Sequence, residues 1–390
     1  MTPPLALYVH FPWCVAKCPY CDFNSHALRD ALPESTYIDA LVMDMQIQAP
    51  RAAGRAISSV FMGGGTPSLF KPEAIGGLLE RLRAILPFEA GCEITLEANP
   101  ATVERGRFAE YHVAGINRVS LGAQSFDGET LKTLGRIHQP ADVFRAAEEL
   151  HAAGLSNFNL DLMFALPRQD VAGALADLTT ALSLEPAHLS HYQLTLEPGT
   201  LFAAQPPPLP DDEIAWDMQG ACHAVLAARG FAQYEVSAFA RAGRQCRHNL
   251  NYWRFGDYLG IGAGAHCKLT RATDGSAPCI ERSTHLREPR RYLASAAQGP
   301  AWKAVPDEDL PYEFAMNALR LNEGFEASLF TTRTGLPFAR VESIPRALEK
   351  QGLMELVAGH WRATGRGRQM LNELILRFLP GRNSGVMAGS

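Results

Sequence analysis

The sequence predicts an α/β fold, a partial (βα)6 barrel of TIM-like type followed by a smaller C-terminal α+β domain of winged-helix character. Short apolar runs alternate six times with segments of 3.6-residue periodicity before Arg229. Residues able to do chemistry stand just after those runs, where parallel α/β folds place their ligands. The rhythm stops near Glu288, and helices with one short hairpin follow.

Leu5 to Phe11 is the first strand; Ile38, Leu41, Val42 and Met45 then share a helical face behind the start signals Pro33, Glu34 and Ser35. Ile57 to Met62 is the second strand, with a helix carrying Ile75, Leu78, Leu79, Leu82 and Leu86. The third unit is Glu93 to Glu97 with a helix from about Thr102 to Ala114, and the fourth is Arg118 to Ala123 with helical segments up to Ala153. Phe158 to Phe164 with Ala174 to Leu184, and Leu189 to Leu196 with Ile214 to Arg229, complete six units. Six units fall short of a closed eight-fold barrel, so one side is expected to be open. The prolines in Gln205 to Pro210 predict a surface loop. Beyond Glu288, helices are expected around Tyr312–Leu319, Glu326–Thr332 and Arg340–Gln351, then strands Leu353–Val357 and His360–Ala363 and a last helix to Leu379. The expected domains are a barrel over 1–240, a glycine-rich segment packed on it over 241–288, a winged-helix-like domain over 289–380 and a disordered tail over 381–390.

With 390 residues, 47% hydrophobic and 20% charged, the chain can bury a large core and a smaller one. A net charge of -5 argues against a nucleic-acid partner, which needs a clustered basic surface. The eight cysteines, three of them crowded together, suggest metal chemistry in a reducing compartment over a disulfide framework. No apolar run reaches the length of a membrane span. A cytoplasmic protein is expected, any membrane contact being peripheral.

Cys14, Cys18 and Cys21 form a C-x3-C-x2-C group with no fourth cysteine at ligand spacing. Closed structural sites use four protein ligands, so three thiolates around a cubane leave one iron free for another ligand. A zinc knuckle completed by His10 or His26 is the bland alternative. After later strands come Gly63-Gly64-Gly65-Thr66-Pro67, Glu97-Ala98-Asn99-Pro100 and Gln124, while Asp161 lies within the fifth. Glycines permit close backbone approach, carboxylates accept hydroxyl or ammonium hydrogen bonds, and Arg136 can fork onto a carboxylate. Each alone is more often an ordinary turn or a solvated charge; together they are better explained as one site. Gly260-Ile261-Gly262-Ala263-Gly264-Ala265-His266 lacks dinucleotide-binding spacing and is expected to be a closely packed wall of the same pocket. His248-Asn249-Leu250-Asn251-Tyr252-Trp253 can offer a neutral imidazole to iron and flat apolar surface to a porphyrin, or it can be a hydrogen-bonded core histidine.

The cysteine group with Tyr20 before its last member resembles the radical S-adenosylmethionine superfamily. Tyr8-Val9-His10-Phe11-Pro12, the glycine run, Leu96 to Pro100, Gly122 to Phe126, Leu134-Gly135-Arg136 and Asp161-Leu162-Met163 resemble the oxygen-independent coproporphyrinogen III oxidase-like group across most of the chain. The resemblance implies a barrel of the radical S-adenosylmethionine type, a 4Fe-4S cluster on Cys14, Cys18 and Cys21, and S-adenosylmethionine contacts from Tyr8, Tyr20, Gly64, Gly65, Thr66, Glu97, Gln124, Arg136 and Asp161. The H-N-x-x-Y-W string is similar to the heme chaperone branch of that group. Phe23 stands where the oxidase has a further cysteine, and the segment before the cluster is shorter. The branch implies heme bound through His248 and passed to acceptor hemoproteins, respiratory and membrane-associated, with a heme donor protein and a homodimer as further partners. Its alternatives are the oxidase and a radical enzyme acting on another substrate. Cys222, Cys246, Cys267 and Cys279 are thiolate candidates for heme iron, with buried structural cysteine the blander role.

Overall fold

The computed structural model describes residues 2–101, 107–273 and 276–381. Its first half alternates strand and helix: β1 (Leu5–Phe11), α1 (Glu34–Gln48), β2 (Ile57–Gly64), α2 (Pro72–Ile85), β3 (Phe88–Ala98), α3 (Arg107–Val113), β4 (Arg118–Gln124), α4 (Gly128–Thr133), α5 (Pro140–Ala152), β5 (Phe158–Phe164), α6 (Val171–Ser183), β6 (His188–Gln193) and α7 (Asp212–Ala228). These are the six expected units, β1 and β5 matching residue for residue. Thr102 to Gly106, where the third helix was expected to begin, and the tail from Arg382 lie outside the described residues. Helix starts follow local chemistry: Asp127, Asp170 and Asp211 each accept a backbone N–H three residues on, at 2.7, 2.7 and 2.8 Å.

The chain continues through β7 (Ala232–Gln233), β8 (Ala238–Ala240), α8 (Arg247–Trp253), β9 (Asp257–Ile261), β10 (His266–Thr273), β11 (Ser276–Thr284), α9 (Pro289–Ser295) and β12 (Trp302–Ala304). One sheet of twelve strands results, in the order β12-β11-β10-β9-β1-β2-β3-β4-β5-β6-β8-β7. From β1 to β6 neighbouring strands are parallel, and β9 pairs with β1 in parallel on its other side. The segment 241–288 was expected to pack on the barrel; instead β9, β10 and β11 extend the barrel's own sheet. Polar residues such as Lys268 and Arg282 hid those strands, because their partners, Asp257 and Glu313, lie elsewhere in the chain.

A second core gathers Phe314, Phe325, Phe330, Leu348, Trp361 and Leu374, and includes Phe255 and Ile280 from the barrel side. It joins α10 (Leu310–Ala318), β13 (Phe325–Glu326), α11 (Ala327–Thr334), α12 (Ser343–Lys350), β14 (Met354–Val357), β15 (His360–Ala363) and α13 (Leu371–Leu376), with a sheet ordered β13-β15-β14. Helices around a three-stranded sheet match the expected winged-helix character.

Where the sheet meets this domain, Asp257 is fully buried and accepts from Arg55 at 2.7 Å, Lys268 at 3.1 Å and the Thr270 hydroxyl at 2.8 Å. Lys268, 1% exposed, also donates to the carbonyls of Phe255 and Gly256. Removing one partner of a buried pair leaves an uncompensated charge. Asp257→Ala is therefore expected to cost about 3–5 kcal/mol, read as a lower urea midpoint.

Candidate functional site

A cavity of about 650 Å³ opens at the carboxyl ends of the strands. Cys14, Cys18, Cys21, Tyr20, Gly64, Gly65, Thr66, Glu97, Gln124, Arg136 and Asp161 all line it. Residues as far apart as Cys14 and Asp161 thus meet because parallel strands end on one face. The sequence reading missed Ser120, Ser190 and Tyr192, which also line it; as polar residues within strands they carried only the positional signal.

The cysteines sit on a loop closed at its base by Trp13–Cys14 pairing in parallel with His26–Ala27. The loop is fastened to the barrel by the Gly65 N–H on the Phe11 carbonyl at 2.6 Å and the Thr66 N–H on the Trp13 carbonyl at 2.7 Å. A Cβ on Gly65 would lie 2.5 Å from the Trp13 oxygen, so only glycine fits. Gly64 has φ +109, and a Cβ there would overlap the His10 ring. Beneath the loop, Gly135 passes Pro19 so closely that a Cβ would come within 2.8 Å of it.

Arg136 donates to the Gly122 carbonyl at 2.8 Å and contacts the Cys18 sulfur at 3.7 Å, while its buried Nε has no partner. Such an orphaned donor suits an anionic ligand group. Gln124, with φ +67 in a non-glycine residue, turns at a register shift between β4 and β5, and its Oε1 accepts from Tyr192 at 2.7 Å. Glu97 accepts from the Gly64 N–H at 3.0 Å. Burial, then the nearby Asp161, push its carboxyl up to about 8 against the Gly64 bond. Asp161 is raised by burial while Asn159 at 2.8 Å and Ser120 at 3.2 Å hold its oxygens.

Among the described residues no three His, Cys, Asp or Glu side chains converge to hold a single metal ion. Cys14, Cys18 and Cys21 all line the one cavity, with Ser25 within 3.6 Å of the Cys21 sulfur. His10 is occupied in any case, hydrogen-bonded to the Tyr8 hydroxyl at 3.0 Å and the Asn24 carbonyl at 2.9 Å.

Tyr8, expected beside the others, lines a second cavity of about 460 Å³ with His10, Asn24, Tyr252, Tyr258, Gly264, His266 and Arg287. The two cavities share Phe23, Gly64 and Glu97. Gly264 makes the glycine-rich segment a wall here, and a Cβ on Gly262 would come within 2.5 Å of the His10 carbonyl.

His248 is enclosed among aromatic rings. It is 2% exposed, lines neither cavity, and lies under Tyr252 at 4.8 Å and Tyr8 at 6.4 Å between ring centroids. Its Nδ1 bonds the Ser59 hydroxyl at 3.1 Å, its Nε2 is buried without a partner, and burial lowers its pKa to about 3. Glu93 of β3 accepts the N–H groups of Arg247 and His248, holding α8 against the lower part of the barrel strands, below the mouth. Cys246 and Cys267 are also buried, their thiols pushed up to about 12. Cys222 is buried in α7, and Cys279 lies on the β11 edge; none of the four lines either cavity.

Over 382 residues the chain is 49% identical to the heme chaperone HemW of Escherichia coli (strain K12), covering 97% of this chain and 98% of that protein. The chain belongs to the HemW family. The Haemophilus influenzae HemW is 48% identical over the same share. Radical S-adenosyl methionine domain-containing protein 1, mitochondrial, of Bos taurus is 41% identical over 67% of this chain and 60% of its own length. Residues 8–178 match the Radical SAM superfamily, and residues 305–370 the HemN C-terminal domain. Among solved structures, the radical SAM enzyme coproporphyrinogen III oxidase (HemN) of Escherichia coli superposes with a TM-score of 0.80 at 25% identity, over 97% of this chain and 90% of that one. That likeness establishes the radical SAM fold for this HemW family member. His248, Tyr252, Tyr258, His266 and Arg287 fall between the two matched segments.

Two outcomes follow from the geometry. The raised Glu97 carboxyl keeps a proton in the folded state from about pH 5 to 8 that the unfolded chain has released, so this group lowers stability as pH rises through that window. Glu97→Gln is expected to be the more stable form near pH 8, by roughly 4 kcal/mol at most, with the gap closing near pH 5, read by denaturant unfolding without cofactors. Gly64→Ala, strained at φ +109 and blocked by His10, is expected to lose about 2 kcal/mol or more in the same assay.

Proposed function

We propose that this chain is a heme chaperone that binds a 4Fe-4S cluster, S-adenosylmethionine and heme, and passes heme to acceptor hemoproteins. The observation that carries the reading is that similarity to proteins named heme chaperone HemW runs through 97% of the chain at 49% identity, against 25% for the oxidase HemN. Phe23 in place of the oxidase's expected further cysteine supports the same choice.

In this reading Cys14, Cys18 and Cys21 hold the cluster. A cluster held by three thiolates supplies, when bound, an open iron for the amino and carboxylate groups of S-adenosylmethionine. Arg136 takes the carboxylate side through its unpartnered Nε, and the Gly63 to Gly65 backbone lies against the methionine part. Thr66, Gln124, Glu97 and Asp161 offer hydrogen bonds to ammonium and ribose groups, Tyr20 closes the loop over them, and Tyr8 acts from behind through His10. Heme occupies the adjoining aromatic cavity. His248 belongs to the layer beneath it and reaches an iron only if Tyr8 and Tyr252 swing aside.

The proposed acceptors are respiratory hemoproteins at the membrane, reached from the cytoplasm by peripheral contact. No helix among the described residues is long and apolar enough to cross a membrane. A heme donor protein and a homodimer complete the proposed partners.

Anaerobic reconstitution tests the reading. The chain is expected to take up iron and sulfide with the absorbance of a 4Fe-4S cluster, to shift the Soret band of added heme, and to leave coproporphyrinogen III unconsumed in the presence of S-adenosylmethionine and a reductant. Cys18→Ala is expected to abolish the cluster absorbance. Turnover of coproporphyrinogen III, with carbon dioxide release lost in Cys18→Ala, would replace the chaperone by the oxidase.

A further inference from the structure

The geometry points to His266 as the axial ligand of a heme seated in the second cavity, with Arg287 at its rim as the partner of a heme propionate. This rests on the heme-binding reading and assigns the site that it leaves open.

An axial imidazole must be neutral, reachable and held by its other nitrogen. His266 stands at the start of β10 directly opposite Thr284 of β11, and Nδ1 bonds the Thr284 hydroxyl at 3.1 Å. That bond orients the ring, and Nε2 carries no hydrogen bond among the described residues. The side chain is exposed and lines the cavity. Its pKa is lowered from the usual value by partial burial, then by the guanidinium groups of Arg282 and Arg287 and by His285, so the ring is neutral near pH 7 with its lone pair free to bind iron.

The competing imidazoles are committed elsewhere. Both nitrogens of His10 are bonded. His285 is buried, its Nε2 facing the Gly260 carbonyl at 3.1 Å, Gln48 at 3.2 Å and Asp44 at 3.3 Å. His248 lies a layer deeper, beneath Tyr252 and Tyr8.

The rest of the cavity matches a planar, apolar macrocycle with anionic arms. Tyr252 and Tyr258 stand edge to face at 4.5 Å, and Phe23, 59% exposed, lines the same cavity. The volume of about 460 Å³ falls in the usual range of small-ligand pockets, about 300–1,000 Å³. Arg282 is taken by Glu313 and the Tyr258 hydroxyl, whereas Arg287 is exposed and makes no ion pair among the described residues. Glu97, the carboxylate on this wall, is held largely protonated near pH 7 and does not repel a propionate. Asn24 of the cluster loop donates to the carbonyls of Ala263 at 2.9 Å and Arg287 at 2.8 Å, so one loop carries cluster ligands into one cavity and a wall into the other.

The test compares ferric heme with metal-free protoporphyrin IX on the full chain, reading Soret position and affinity for the first and fluorescence for the second. His266→Ala is expected to lose the imidazole-ligated Soret band and at least tenfold in heme affinity, to regain the band with added imidazole, and to keep its affinity for metal-free porphyrin. His266→Tyr is expected to replace the band with a phenolate charge-transfer spectrum, which only direct ligation produces. Arg287→Ala is expected to weaken both porphyrins several-fold. If His266→Ala and His266→Tyr keep the wild-type band, or if His248→Ala alone removes it while metal-free porphyrin still binds, the assignment is overturned. If the wild-type chain binds no heme, the underlying function fails first.

Discussion

The close approach of Gly64 to the ring of His10 holds the two cavities in register. A side chain at Gly64 would fill the ring's place, and φ +109 points its N–H at Glu97. His10 in turn bridges the Tyr8 hydroxyl and the Asn24 carbonyl. Strand ends, cluster loop and the wall built by β9 and β10 therefore meet around one imidazole and one glycine. Because interiors are close-packed and polar contacts directional, displacing either is felt on both sides.

Below this level the barrel mouth rests on polar groups where an ordinary barrel uses aliphatic layers. Asn159 donates to Ser120 and Asp161 and bonds His188 through its Oδ1 at 2.6 Å, and His188 bonds the Tyr234 hydroxyl at 2.9 Å. Arg118, 2% exposed, lies among Glu93, Tyr234, Cys246 and Asp161. Such a floor is costly unless its members are paired, and it fixes the directions of Asp161 and α8 rather than adding much net stability. His248 is part of that floor, which is why its sequence neighbours Tyr252 and Trp253 read as a ligand motif while its ring is enclosed.

Much of the architecture was legible because parallel strands buried on both faces are short continuous apolar runs, and helices between them show one apolar face. Leu5–Phe11 and Phe158–Phe164 are such runs, and their limits in the fold are those the sequence indicates. The antiparallel extension was not legible: β10 carries Lys268 in its interior, buried only because Asp257 of β9 neutralises it. A charge that finds its partner eleven residues away reads in sequence as a solvated loop.

By itself the sequence determined the side chains that converge on one face: three thiols, a glycine run and two carboxylates, each placed just after or within a strand, and an arginine in the connection beyond α4. Strand order carries such residues to a common mouth whatever their spacing, so position relative to strands was enough. Only the tertiary structure decided on which side of Gly64 each would act, sending Tyr8 and His266 to the aromatic cavity, enclosing His248 and exposing Arg287. Those outcomes depend on side-chain burial and on the pairing of β9 with β1 and of β10 with β11, contacts between segments whose register no local pattern specifies.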